Sequence, residues 1–252
     1  TVGSLGRIRQ WVKQRVVYIW RIEQPEGRCY SPRTMAHDQP VKALVVAFTE
    51  DTGAAVYSVN RLHPENLCFV LPESAKVSVE SSIQPKIEQM PRRWDWIVLA
   101  DPGEFAGCHQ MLARSLPDLL RTWEVQPGEL VVDLTGATPA MAAALTAAAL
   151  PWSSRFVSLS PARPGSEDET IMIEGRACVW LQSNPWDEAA AMSRREVCEL
   201  FNRGDFPAAA KLFHDVEARV SGGQKPLYRA FADVAEGYDL WERFHYRQAW
   251  DK

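Results

Sequence analysis

In this 252-residue chain, the stretch with the clearest chemical potential is DLTGATPAM, from Asp133 to Met141. Leu130, Val131 and Val132 form a short apolar run closed by Asp133. Thr135-Gly136-Ala137-Thr138-Pro139 is a tight polar turn, and the alanine-rich segment after it, to Leu150, has strong helical propensity. Thr138 is placed to cap that helix. Pro139 falls at its first position, where a missing N–H costs nothing. A polar turn at a helix start offers free backbone N–H groups and the positive end of the helix dipole, so it suits an anion, phosphate above all. It is neither a Walker loop, since no Gly-Lys-Ser/Thr comes after it, nor a G-x-G-x-x-G dinucleotide fingerprint. Two further polar turns, Thr49-Glu50-Asp51 and Asp101-Pro102-Gly103, could border the same site.

The elements that must position these turns recur with a regular rhythm. KALVVAF (Lys42 to Phe48) is a near-continuous apolar strand of the kind buried on both faces of a parallel sheet. After the turn at 49–53 a helix is predicted over Ala54 to Leu62, and NLCFVL (Asn66 to Leu71) is a second strand. Pro72 to Gln89 holds a helical or irregular crossover, and DWIVLA (Asp95 to Ala100) is a third strand. A helix comes next over Cys108 to Trp123, which Pro117 should kink or divide. ELVVDL is the fourth strand and RFVSLS (Arg155 to Ser160) the fifth.

Alternating strands and helices imply a doubly wound sheet with right-handed crossovers. Ligands bind such sheets beyond the carboxyl ends of the strands, where the order reverses, so the turns after strands one, three and four are candidates for one cleft. TIMIEG and ACVWLQS suggest a hairpin at the sheet edge.

From Pro185 the chain reads as wholly helical. There Leu200-Phe201-x-Arg203-x-x-Phe206-x-x-Ala209 recurs as Leu240-Trp241-x-Arg243-x-x-Tyr246-x-x-Ala249, on the scale of a helix hairpin. The expected organisation is a basic amino-terminal segment over 1–40, an α/β domain with a Rossmann-like parallel sheet over 41–183, and a smaller all-helical region over 184–252.

A net charge of -4 and a pI near 5.8 argue against a general DNA- or RNA-binding surface, so a polyanionic ligand needs a local site. Cys29, Cys68, Cys108, Cys178 and Cys198 are scattered, with no C-x-x-C pair and no histidine at metal-ligand spacing. Reduced thiols in a cytoplasm are expected, with no metal and no cofactor. Cys68 and Cys178, inside apolar runs, are expected in the core. No apolar run reaches the roughly 18 residues of a membrane span. Arg7 to Arg21 interleaves basic and apolar residues, as a segment packed on its own domain or one lying against an anionic membrane would. The first residue, Thr1, and the helical pattern running to Lys252 suggest a fragment of a longer protein, with an effector domain or a membrane anchor outside it.

DLTGATPAM resembles the D-x-T-G-G-T-K-x-M signature of the CRISPR-associated Rossmann fold (CARF) domain, the sensor of cyclic oligoadenylate second messengers in type III CRISPR immunity. The polar Thr49-Glu50 turn after the first strand and LHPENLCFVL entering the second add to the resemblance. NPWDEAAAMSRREVCELFNRGDFPAAAKLF resembles the helical extension after the sensor in one branch of the family. The resemblance covers roughly Val41 to Lys252. It implies a homodimer with a cyclic oligoadenylate, cyclic tetra-adenylate favoured, lying across the two-fold axis, each protomer reading half. It places Thr135, Gly136, Ala137, Thr138, Pro139 and Met141 at the phosphates and Thr49, Glu50 and Asp51 at adenine or ribose. Asp101 would border the same cleft. Ala137 stands where the family has its second glycine and Pro139 where it has lysine, so binding through backbone amides is expected and ligand cleavage is expected to be absent or slow.

The rival readings are an S-adenosylmethionine-dependent methyltransferase and a helical interaction scaffold. Against the methyltransferase, the D-x-x-G match falls on strand four, and strand five ends in Ser158-Leu159-Ser160 without an acid for a ribose. The R-x(4-6)-H signature of HEPN-type ribonucleases is missing: Arg33 and His37 are one residue too close, and Arg243 and His245 closer still. With no catalytic constellation in the chain, a sensor is expected rather than an enzyme.

Overall fold

In the computed structural model the described residues are 41–162 and 170–252. The basic segment Arg7 to Arg21, Cys29 and the loop over 163–169 lie outside them. Strands β1 (Ala43–Ala47), β2 (Asn66–Pro72), β3 (Arg93–Leu99), β4 (Leu130–Asp133), β5 (Ser153–Pro161), β6 (Thr170–Ile173) and β7 (Arg176–Ser183) form one sheet in the order β3-β2-β1-β4-β5-β7-β6. The chain steps outward from β1 through β2 to β3, then returns to place β4 on the other side of β1. Pairing is parallel from β3 across to β5. β7 runs antiparallel to both β5 and β6, which puts the expected hairpin at the sheet edge.

The apolar runs are continuous because both faces of the central strands are covered. Ala43, Val45 and Ala47 of β1 face helices α2 (Phe105–Thr122) and α3 (Pro139–Ala149), packing with Leu112, Leu116, Val132 and Leu145. Leu44 and Val46 face the other way, toward α1 (Thr52–Leu62) and the β2–β3 crossover, packing with Val59, Val79, Ile83 and Val131. That crossover is irregular, with 3-10 turns at Glu73–Ala75 and Gln84–Lys86 and a π turn at Val79–Ile83 between them.

Pro117, expected to kink or divide the helix after the third strand, does not divide it. α2 runs unbroken through it. The buried stripe Cys108, Leu112, Leu116 and Leu120 anchors the helix on the sheet on both sides of the proline, and that packing outweighs the lost hydrogen bond. Cys68 is fully buried, whereas Cys178, expected in the core, is half-buried on β7, beside the edge strand β6.

Beyond β7 come α4 (Pro185–Arg203), α5 (Phe206–Arg219), α6 (Lys225–Glu242) and the short α7 (Tyr246–Trp250), around a separate core that includes Val197, Phe201, Phe206, Phe213 and Tyr228. This region is fastened to the end of the sheet opposite the carboxyl ends of the parallel strands. The Trp186 indole N–H donates to Leu150 O at 2.8 Å, and Arg219 Nε donates to Pro151 O at 3.0 Å. Arg219 also lies 5.0 Å from the centre of the Trp186 ring. Gly128, at φ +93°, faces Ala218 so closely that a Cβ would stand 2.2 Å from its carbonyl oxygen. Only glycine permits that approach and that φ together. No helix among the described residues is long and apolar enough to cross a membrane.

Candidate ligand site at the switch point of the sheet

β4 ends where the strand order reverses, and its last residue organises the turn that leads into α3. Asp133 is fully buried, and its Oδ1 accepts from the Thr135 amide at 2.8 Å and from the Thr135 hydroxyl at 2.5 Å. Thr135 Oγ1 in turn accepts from the Leu159 amide of β5 at 2.9 Å. The turn is thereby clamped to two strands. Asp133 Oδ2 and the Ser58 hydroxyl of α1 are both buried, and neither has a hydrogen-bond partner among the described residues. Burial pushes the Asp133 carboxyl above the ordinary carboxylate range, against the nearby Ser58 and Thr135 groups that favour its charged form.

Two hydroxyls tie this turn to its neighbours. Thr49 Oγ1, after β1, donates to Gly136 O at 2.9 Å, and Thr138 Oγ1 donates to Pro102 O after β3. The three turns expected to share a cleft are therefore in contact, with the β4 turn in the middle. Gly136 crosses directly over the end of β1, where a Cβ would lie 2.7 Å from Ala47 O and 3.3 Å from Phe48 Cα. Its requirement for glycine is close approach. Ala137 is not among the residues of positive φ, so the second glycine of the resembled signature is not needed for conformation.

The helix start is built as the sequence predicts. Thr138 is the N-cap, accepting from the Met141 amide at 3.2 Å, and Pro139 is the first helical residue. The Ala137 amide is bound to Leu134 O and the Ala142 amide to Thr138 O. The amides of Gly136, Thr138 and Ala140 have no acceptor among the described residues. All three residues are partly solvent-accessible, and Pro139 between them is exposed. Three such donors at the positive end of an 11-residue helix are the groups an anion would need.

The remaining expected residues divide. Glu50 is exposed beside Thr49, and Asp101 is exposed with its Oδ1 accepting from the Gly103 amide at 2.8 Å. Asp51 is occupied by the fold: it caps α1 through the Ala54 amide at 3.0 Å and pairs with Arg176 of β7 at 2.7 Å. The Met141 side chain is wholly buried in the core and offers no surface to a ligand. Reading the sequence missed Asp133 as the residue that orients the turn. The signal was the D-x-T spacing, since an aspartate accepting from the amide two residues on is an Asx turn. It also missed a groove of about 540 Å3 on the other face, lined by Tyr57, Asn60 and Arg61 of α1, by Lys86 and by Met172 and Glu174 of the hairpin. Among the described residues no group of His, Cys, Asp and Glu could hold a metal ion.

Residues 190–252 match the family model of the Csm6 6H domain. Among solved structures, that of Enterococcus italicus Csm6 bound to cyclic hexa-2'-fluoro-hexa-dAMP has the same fold, with a TM-score of 0.57 and 14% identity. The alignment covers 82% of this chain and 56% of the Csm6 chain, so this chain spans little more than half the length of that relative. Can2 from Sulfobacillus thermosulfidooxidans in complex with cyclic tetra-adenylate aligns over 81% of this chain and 68% of its own, with a TM-score of 0.40 and 11% identity. No curated protein matches the chain. The Rossmann-like sheet therefore has the fold of a Csm6 protein, and the helical segment that continues it is similar to the Csm6 6H domain.

Proposed function

We propose that the chain is a sensor of a cyclic oligoadenylate, whose phosphates are held by the amides of Gly136, Thr138 and Ala140. The observation that carries this reading is that set of acceptor-free amides at the switch point, framed by the Thr49 and Asp101 turns. The Csm6 structure of the same fold, bound to a cyclic hexanucleotide analogue, supports it. Cyclic tetra-adenylate is the ring expected from the sequence, and a ring of six is the one in that Csm6 complex. The ligand is two-fold symmetric, so it would lie across a homodimer axis with each protomer offering one amide cradle. Pro139 supplies no cationic side chain at the cradle, in keeping with binding without rapid cleavage.

The same helix suggests how binding is transmitted. α3 is about 16 Å long at 1.5 Å per residue. Its amino end is the cradle, and the carbonyls just past its carboxyl end hold Trp186 and Arg219 of the helical region. A ligand that draws α3 toward its phosphates pulls on that junction. In a longer protein the helical region would pass the movement to an effector. A few kcal/mol of differential affinity between two arrangements is enough to shift such an equilibrium.

The test is thermal unfolding with cyclic tri-, tetra- and hexa-adenylate beside S-adenosylmethionine. One ring should stabilise the protein, by about 2.7 kcal/mol at 100 times its Kd. Stabilisation by S-adenosylmethionine alone would make the chain a methyltransferase, and no stabilisation by any of the four would leave the helices as an interaction scaffold.

A further inference from the structure

The helix after β3 carries an aromatic ring to the same edge of the sheet as the amides of Gly136, Thr138 and Ala140. The buried stripe of α2 is Cys108, Leu112, Leu116 and Leu120. At about 3.6 residues per turn Phe105 falls on that stripe, three positions before Cys108 and seven before Leu112, with His109 beside it. The leucines are wholly covered by the sheet and α3, yet Phe105 is 50% exposed. The face that is core further along α2 therefore runs out past the end of the sheet at Phe105, where the turn after β4 also lies.

The ring is held ready for a flat partner. His109, one turn on, stacks against Phe105 with centroids 5.7 Å apart and planes 17° from parallel. The imidazole backs one face of the phenyl ring and leaves the rest of it to solvent. The start of α2 is itself closed to an anion, because Glu104 accepts from the Ala106 amide at 3.0 Å and from the Gly107 amide at 2.7 Å. Two helices thus open on one edge, α3 with amides that lack acceptors and α2 with a ring. Phe105 is three residues from Pro102, whose carbonyl accepts from Thr138 in the β4 turn. Its Cα is therefore at most about 11 Å from that of Pro102.

We infer that Phe105 is a base-stacking platform, taking one adenine of a cyclic oligoadenylate on its phenyl face while the amides of Gly136, Thr138 and Ala140 take the phosphates. This assignment rests on the sensor reading proposed above and adds to it the residue that receives a base. A cyclic oligoadenylate alternates an anion with a flat π-system, and the α3 amides and Phe105 supply the complement of each. Stacking needs no hydrogen-bond partner at the ring, which suits a position whose polar neighbours, the Glu104 carboxylate and the Cys108 thiol, are taken up by the turn.

The 252-residue chain is titrated with cyclic tetra-adenylate and with cyclic hexa-adenylate by isothermal calorimetry, as wild type and as Phe105→Ala, Phe105→Leu and Phe105→Tyr. Phe105→Ala and Phe105→Leu should weaken binding of the ring that the wild type takes by about fivefold or more, and Phe105→Tyr should bind it as tightly as the wild type. Leucine keeps the apolar bulk, so a loss shared by alanine and leucine but not by tyrosine is loss of the π face rather than of packing. Undiminished binding by Phe105→Ala or by Phe105→Leu overturns the inference and leaves the amide cradle standing. So does a dimer, seen by sedimentation without nucleotide and disrupted by Phe105→Ala, because the ring would then belong to the contact between two copies. A wild type that binds neither ring overturns the sensor reading, and the stacking role with it.

Discussion

The two ends of α3 are built from the same backbone chemistry and put to opposite uses. At the amino end the amides of Gly136, Thr138 and Ala140 have no acceptor among the described residues, although the turn that carries them is held rigidly by Asp133, Thr49 and Thr138. Just past the carboxyl end the carbonyls of Leu150 and Pro151 are taken up by the Trp186 indole and the Arg219 guanidinium. Every helix leaves donors at its start and acceptors at its finish. A helix open at its amino end and braced just past its carboxyl end would offer one place for a ligand and one place to transmit its arrival.

Substitutions at the open end should have the largest effects. Gly136→Ala forces a methyl against the Ala47 carbonyl and Phe48 Cα, backbone atoms that cannot swing aside. It should cost about 3 kcal/mol by chemical denaturation and abolish the ligand-induced rise in Tm. Thr138→Ala removes the cap and the tie to Pro102 together. A loss of about 1–2 kcal/mol is expected, with a weaker ligand response than the wild type. Should either variant keep full stability and response, the amino end would be no different from any other helix start.

At the fastened end, Trp186→Phe keeps an aromatic ring and deletes the N–H that reaches Leu150 O. It should destabilise by only about 1 kcal/mol and leave ligand affinity intact, while removing any ligand-induced protection of the α4–α5 amides in hydrogen exchange. An unchanged protection pattern would break the proposed link between the two ends.

Asp133→Asn should sharpen the contrast with the opposite sign. Burial raises the folded carboxyl above its ordinary 3.8, so the folded state holds the proton more tightly than the unfolded chain. That contribution is fully present below about 3.8 and is lost as pH rises through the folded value. Asparagine does not titrate and can offer both an acceptor to Thr135 and a donor to Ser58. The variant should therefore be more stable than the wild type by about 1 kcal/mol at pH 7, with the advantage vanishing below pH 3.8 in urea titrations at each pH.

The parts of this arrangement that could be read from the sequence are those with a local cause. Runs such as ALVVA and NLCFVL announce strands buried on both faces, and Thr-Pro before an alanine run announces a capped helix, because each signal is made by neighbouring residues. What stayed hidden depends on residues far apart. Asp51 reads as a free polar turn residue until Arg176, 125 positions on, is found paired with it. Met141 reads as part of a binding signature, yet its side chain belongs to the core on the α2 side of the sheet. Pro117 reads as a break because the sequence does not show that the leucines on both sides of it are buried against the sheet. The junction of Trp186 with Leu150 joins two regions that the sequence treats separately.

The proposed role of the amides at the start of α3 is to receive the ligand's charge. Hydrogen exchange resolved to single amides, with and without the stabilising cyclic oligoadenylate, tests it most directly. Slowed exchange is expected at Gly136, Thr138 and Ala140, together with the Thr49 and Asp101 turns. Slowed exchange confined to the groove between Tyr57, Asn60, Lys86 and Met172, with Gly136, Thr138 and Ala140 unchanged, would contradict it.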